Sequence, residues 1–95
     1  MNKQWFVYIM TNYRNTVLYT GITNNLKLRI LQHKKSINDS FSSRYRLYKL
    51  IWFEKFGSPD EAIKIEKKIK VWRREKKINL IKSKNPKFKD LFALR

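Results

Sequence analysis

The sequence predicts a small α+β domain in the order β-β-α-β-α-α, with a three-stranded antiparallel sheet flanked by helices. Three observations point to it. Two short aromatic and β-branched runs near the start are separated by a polar turn. A long apolar run rich in aromatics follows in mid-chain. The remaining segments repeat their apolar residues at helical spacing. With 95 residues, the chain has room for one domain, spanning residues 1–95, and one core.

Trp5 to Met10 reads as the first strand and Val17 to Ile22 as the second. Between them Thr11 to Thr16 is polar and turn-like. A turn centred between Tyr13 and Arg14 would set Tyr8 directly opposite Tyr19, and opposed residues of an antiparallel pair point to the same face. Asn24 is the expected N-cap of a helix running to about Lys35. Leu26 and Ile30 lie on its buried face, with Arg29 and His33 four apart along the neighbouring edge. Ser36 to Ser43 is a polar loop. Leu47 to Phe56 is apolar on both sides of its alternation, which predicts a central strand. Ser58, Pro59 and Glu61 form a helix start, with Ser58 as cap, Pro59 in the first turn and Glu61 completing a capping box. The helix that follows carries Ala62, Ile65, Ile69 and Trp72 on one stripe. Another helical stretch covers Lys76 to Lys82 and ends before Asn85-Pro86. Phe88, Leu91, Phe92 and Leu94 are expected to fold back onto the core.

Composition narrows the partner. Hydrophobic residues make up 42% of the chain and fourteen residues are aromatic, which argues for a folded core rather than a basic tail. Lys and Arg total 23 against 7 Asp and Glu, a formal charge of +16. That excess calls for a polyanion, either nucleic acid or an anionic membrane. Basic residues interrupt every apolar run, and none approaches the roughly 20 residues of a membrane span, so nucleic acid is favoured. Solubility alone needs only a net charge of about 2–8. The absence of cysteine excludes a disulfide framework and a thiolate zinc site, and a single histidine excludes a multi-histidine metal site. The N-terminus carries no secretory pattern, so a cytoplasmic location is expected.

Each chemically capable residue also has an ordinary explanation. Glu66 falls inside the apolar arc of its helix, between Ile63 and Ile69, where an unpaired carboxylate is costly to bury. It is either a metal ligand at the floor of a cleft or one half of a buried ion pair. Tyr8 and Tyr19 are either cleft residues or cross-strand packing. Gly21, just after Tyr19, permits close backbone approach by a ligand. Arg29 could be a solvated helix charge, and His33 a helix-end residue that suits the dipole. Lys67, Lys70, Arg73 and Arg74 form either a solvated face or a track along a phosphate backbone.

Taken in order, Val7-Tyr8-Ile9, Tyr19-Thr20-Gly21, Asn24-Asn25-Leu26 through Arg29 and His33, and the helix with Glu66 resemble the GIY-YIG nuclease family. The ending, Trp72 to Lys77 followed by Asn85 to Leu91, is similar to its small stand-alone members, distant relatives of the excision-repair nuclease domain. The resemblance implies a metal-dependent DNA endonuclease, with DNA repair as a setting. Tyr8 and Tyr19 would line the cleft, the Tyr19 hydroxyl orienting or deprotonating the attacking water. Arg29 would hold the scissile phosphate, and His33 would assist proton transfer. Glu66 would bind Mg²⁺ or Mn²⁺, whose other ligands are phosphate oxygens and water. Tyr8, Tyr19, Arg29 and Glu66 are then expected on one face. Ile22 stands where the repair nuclease has a lysine, and Asn85 is the candidate for the late asparagine of the family. DNA is the expected partner, RNA a second candidate, with a protein partner to supply specificity. The alternative is a nucleic-acid-binding module that keeps the fold but cleaves poorly or not at all.

Overall fold

Alternating side chains on a pleated strand need two partners if both faces are to be buried, and Trp5–Thr11 finds them. In a computed structural model, which describes residues 4–35 and 46–92, this strand (β1) is the centre of an antiparallel sheet in the order β2-β1-β3. The edge strands are β2, Leu18–Thr23, and β3, Lys49–Phe56. Three helices complete the order: α1, Leu26–Lys35; α2, Pro59–Lys70; and α3, Arg74–Lys84. The Ser36–Ser43 loop and Leu94 lie outside the described residues.

The two faces of β1 divide the core. Val7 and Ile9 face α2 and α3, packing with Ile51, Ala62, Ile69 and Ile81. Tyr8 and Met10 face α1, packing with Leu26, Ile30, Leu47 and Leu50. Phe88 seals the first cluster, and Leu91 and Phe92 the second, so the tail does fold back onto the core.

The expectation that Leu47 to Phe56 is central is corrected, since β3 is an edge strand. Its apolar character has a different cause, because the tail covers its open side. Leu91 N donates to Leu50 O at 2.7 Å, Asp90 Oδ1 accepts from Leu50 N at 3.1 Å, and Asn85 Nδ2 donates to Ile51 O at 2.9 Å. Edge groups that would otherwise need water or another strand are thus paired within the chain.

Helix starts follow short polar side chains. Ser58 Oγ accepts from Glu61 N at 3.2 Å, with Pro59 in the first turn, as the sequence predicts. The cap of α1 is Asn25 rather than Asn24: Asn25 Oδ1 accepts from Leu28 N at 3.1 Å, while Thr23 Oγ1 accepts from Asn25 N at 3.1 Å. The last helix is longer at both ends than Lys76 to Lys82, starting after an extended Arg73 and closing on Asn85 just before Pro86. No helix of the described residues is long and apolar enough to cross a membrane.

Candidate active site

The β1–β2 turn determines which side chains meet. Asn12 Oδ1 accepts from Thr16 N at 2.8 Å, and Asn15 takes a left-handed φ of 56°, a conformation asparagine tolerates. The turn is therefore centred one residue later than expected, and the register moves by two. Tyr8 pairs with Gly21, and Tyr19 pairs with Met10. The direct Tyr8–Tyr19 opposition is corrected to a diagonal one. An even shift keeps both tyrosines on the same face, and their ring centroids are 6.3 Å apart.

Gly21 serves Tyr8. A Cβ placed at Gly21 would stand 2.5 Å from both Cζ and the hydroxyl oxygen of Tyr8. The tyrosine lies across the backbone of β2 in space that only glycine leaves free, so the close approach foreseen for a ligand is made by the chain itself.

From α1, Arg29 and His33 reach the same phenol. His33 Nε2 is 2.9 Å from the Tyr8 hydroxyl, and Arg29 Nε donates to it at 3.3 Å. The guanidinium is always a donor, so the Tyr8 oxygen accepts from Arg29; which of Tyr8 and His33 donates in the bond between them is set by the tautomer of the histidine. The ring of Tyr19 packs 5.3 Å from that of His33. His33 and Tyr8 are buried, while Arg29 and Tyr19 are half-buried. Burial works against the charge on Arg29, but hydrogen bonding and charge interaction with Tyr8, then with Tyr19, outweigh it and raise its pKa. The guanidinium therefore stays charged at every pH at which the protein would be used.

Glu66 comes from the other side of the sheet. It lies on α2 with Ala62 and Ile69, the residues that pack against Val7 and Ile9, whereas the two tyrosines share the α1 face. Tyr8, Tyr19 and Arg29 gather on the α1 side, while Glu66 stands on α2 beside Lys70. Glu66 is 8% exposed, and its Oε2 is 2.6 Å from Lys70 Nζ one turn along. Among the described residues no group of three or more His, Asp or Glu gathers to hold a metal. A lone carboxylate suits a hard cation that keeps water and substrate oxygens as its other ligands. An ammonium already occupies the position of a cation beside it, so the donor set fits.

The remaining residues divide clearly. Asn85 is saturated, donating to Ile51 O and Lys89 O and accepting from Lys89 N, and it sits beside β3. Arg74 is exposed but donates to Thr16 O at 3.0 Å and also to Asn15 O, tying α3 to the β1–β2 turn. Lys67 and Arg73 are exposed. The bonds of Asn85 to Ile51 and of Arg74 to the β1–β2 turn were not foreseen from sequence, because each joins segments more than 30 residues apart.

Known proteins resemble this chain along most of its length. The GIY-YIG catalytic domain family matches residues 4–79. A UPF0213 protein of Oceanobacillus iheyensis is 33% identical, over 85% of this chain and 93% of its own length. One from Clostridium perfringens is 38% identical, over 86% of this chain and 87% of its own. The solution NMR structure of the UPF0213 protein of Bacillus halodurans superposes with a TM-score of 0.59 at 25% identity, covering 92% of both chains. A sheet whose paired tyrosines meet an arginine and a histidine from the first helix, in a chain matched along most of its length, belongs to the GIY-YIG nuclease family, among its small UPF0213 members.

Proposed function

We propose that this chain is a metal-dependent DNA endonuclease that cleaves phosphodiester bonds by in-line attack of water. The observation that carries the reading is the Tyr8 hydroxyl, held between Arg29 and His33 with Tyr19 against the same histidine. Packing alone does not require a cation and an imidazole on one phenol.

Exposure divides the labour. Arg29 and Tyr19, both half-buried, are the groups that substrate can reach. Arg29 binds the scissile phosphate and stabilises charge as it develops. Tyr19 orients the attacking water. Tyr8 and His33, buried behind them, hold Arg29 in place and accept the proton that the water gives up, His33 through Nε2. Glu66 holds Mg²⁺ or Mn²⁺, which would supply Lewis-acid stabilisation of the phosphoryl oxygens. A metal held there would take the place of the Lys70 ammonium, whose stem is half-exposed. DNA is the substrate we favour over RNA. Specificity comes from a partner protein, in a cytoplasmic setting that includes DNA repair.

One observation favours the second reading, a binding module without cleavage. The Lys70 ammonium already neutralises Glu66, as a metal would. The experiment that separates the two is cleavage of labelled linear and branched DNA with Mg²⁺ or Mn²⁺ by the wild type, Glu66→Gln and Arg29→Ala. The endonuclease reading expects Glu66→Gln to abolish cutting while binding and folding persist. Arg29→Ala should lower the rate by about 10²–10³. A wild type that cuts nothing, with Glu66→Gln only lowering the melting temperature, would assign Glu66 to the ion pair alone.

A further inference from the structure

The guanidinium of Arg29 is gripped from two elements. From β1, the Tyr8 hydroxyl accepts from Nε at 3.3 Å; from α1 itself, the side-chain oxygen of Gln32 accepts from Nη1 at 3.2 Å. Gln32 stands three residues along the helix, a spacing at which side chains of one helix meet, and like Arg29 it is half-buried. Three features set this contact apart from an incidental surface bond. A guanidinium can only donate, so the amide must turn its oxygen to Arg29 and its amino group away, which fixes the amide's orientation. Arg29 is the amide's only hydrogen-bond partner among the described residues, so the side chain serves no second contact there. Finally, the acceptor is neutral. A carboxylate at this distance would also hold the arginine but would offset the charge that a phosphate needs, whereas an amide leaves it whole.

We propose that Gln32 is a positioning residue, which sets the plane of the Arg29 guanidinium before substrate arrives and does so without drawing on its charge. An arginine side chain in water samples many rotamers, and ordering it only when the phosphate binds would take that cost out of binding. Here Tyr8 fixes one nitrogen and Gln32 another, and a planar group fixed at two of its nitrogens cannot turn about its stem. The geometry at the phosphate is then built in advance, where a misplacement of about 1 Å can cost on the order of 10²-fold in rate. Gln32 acts through Arg29 alone. This rests on the endonuclease reading of Arg29 and adds to it the residue that holds Arg29 from its own helix.

The test combines NMR of the protein without metal or DNA and steady-state cleavage of labelled linear and branched DNA with Mg²⁺. The guanidinium N–H resonances of Arg29, assigned by their loss in Arg29→Ala, are expected to be sharp and slow to exchange in the wild type. Gln32→Met keeps the length and the helix propensity of the side chain but removes the acceptor. In that variant the resonances should broaden and exchange faster. Its kcat should fall roughly tenfold, by loss of one hydrogen bond to a charged group, with KM and melting temperature little changed. Gln32→Glu should keep the resonances sharp and still lose rate, because a carboxylate holds the arginine but offsets its charge. Wild-type resonances and kcat in Gln32→Met would overturn the proposal, and so would a fall in kcat that only follows a fall in melting temperature. A Gln32→Glu variant as fast as the wild type would overturn the need for a neutral partner. A wild type that cuts no DNA would instead remove the endonuclease reading, and the resonances would still decide whether Gln32 holds Arg29.

Discussion

At Gly21 a missing side chain allows Tyr8 to lie across β2, so a residue with no chemistry of its own controls the candidate site. Gly21→Ala would drive a methyl to within 2.5 Å of the Tyr8 ring and hydroxyl. The phenol cannot yield freely, since Arg29 and His33 hold it and its ring is buried. The expected result is a destabilisation of about 1–3 kcal/mol, in the range of other overpacked cores, measured as a shift in the urea midpoint. Cleavage should fall more steeply than stability, because the methyl displaces the hydroxyl that joins Arg29 to His33. An alanine variant as stable as the parent would show that Tyr8 moves aside without cost. The roles of glycine and tyrosine as neighbours are visible in the motif letters. Their contact is not, because it depends on a register two residues away from the symmetric one.

Among the elements, β3 shows most clearly how the tail stabilises the sheet. Asp90 accepts from Leu50 N and Phe92 N, and its other oxygen pairs with Lys34 on α1. One carboxylate therefore ties the edge strand, the tail and the first helix together. Asp90→Ala strips acceptors from a partly buried backbone donor and should cost about 1–3 kcal/mol. Hydrogen exchange at the Leu50 amide should quicken relative to β1, which stays protected at the centre of the sheet. Unchanged exchange at Leu50 would mean that Leu91 alone secures the edge. The long apolar run that suggested a central strand is explained by this cover. One helix start was more legible: Ser58 caps as expected, because an N-cap is a local event over three residues.

For the whole molecule, a charge of +16 makes phosphate attraction the dominant long-range force. The structure sorts which cations can deliver it. Lys70 is engaged by Glu66 and Arg74 by the β1–β2 turn, whereas Lys67, Arg73 and Lys82 are exposed. Replacing those three with glutamine should weaken binding to all DNA sequences alike. It should also flatten the dependence of log Kd on log salt by roughly 2 to 3, about 0.9 for each phosphate contact removed. Arg74→Gln is expected instead to loosen the turn, with a smaller change in slope than in melting temperature. A salt dependence untouched by the triple substitution would move the phosphate track elsewhere on the surface.

The sequence by itself determined the order of elements, the fold class, the nuclease family and the identity of the chemical side chains, because periodicity, capping and the two tyrosine motifs are local patterns. Only the tertiary structure decided how these meet. The register came from Asn15 adopting a left-handed turn, and the covered edge of β3 from the tail bonding to Leu50. The side of the sheet taken by α2, which carries Glu66, was decided by Ala62 and Ile69 packing on Val7 and Ile9. Those outcomes depend on contacts between residues far apart in the chain, where packing and hydrogen-bond satisfaction choose among arrangements that local pattern leaves equally good.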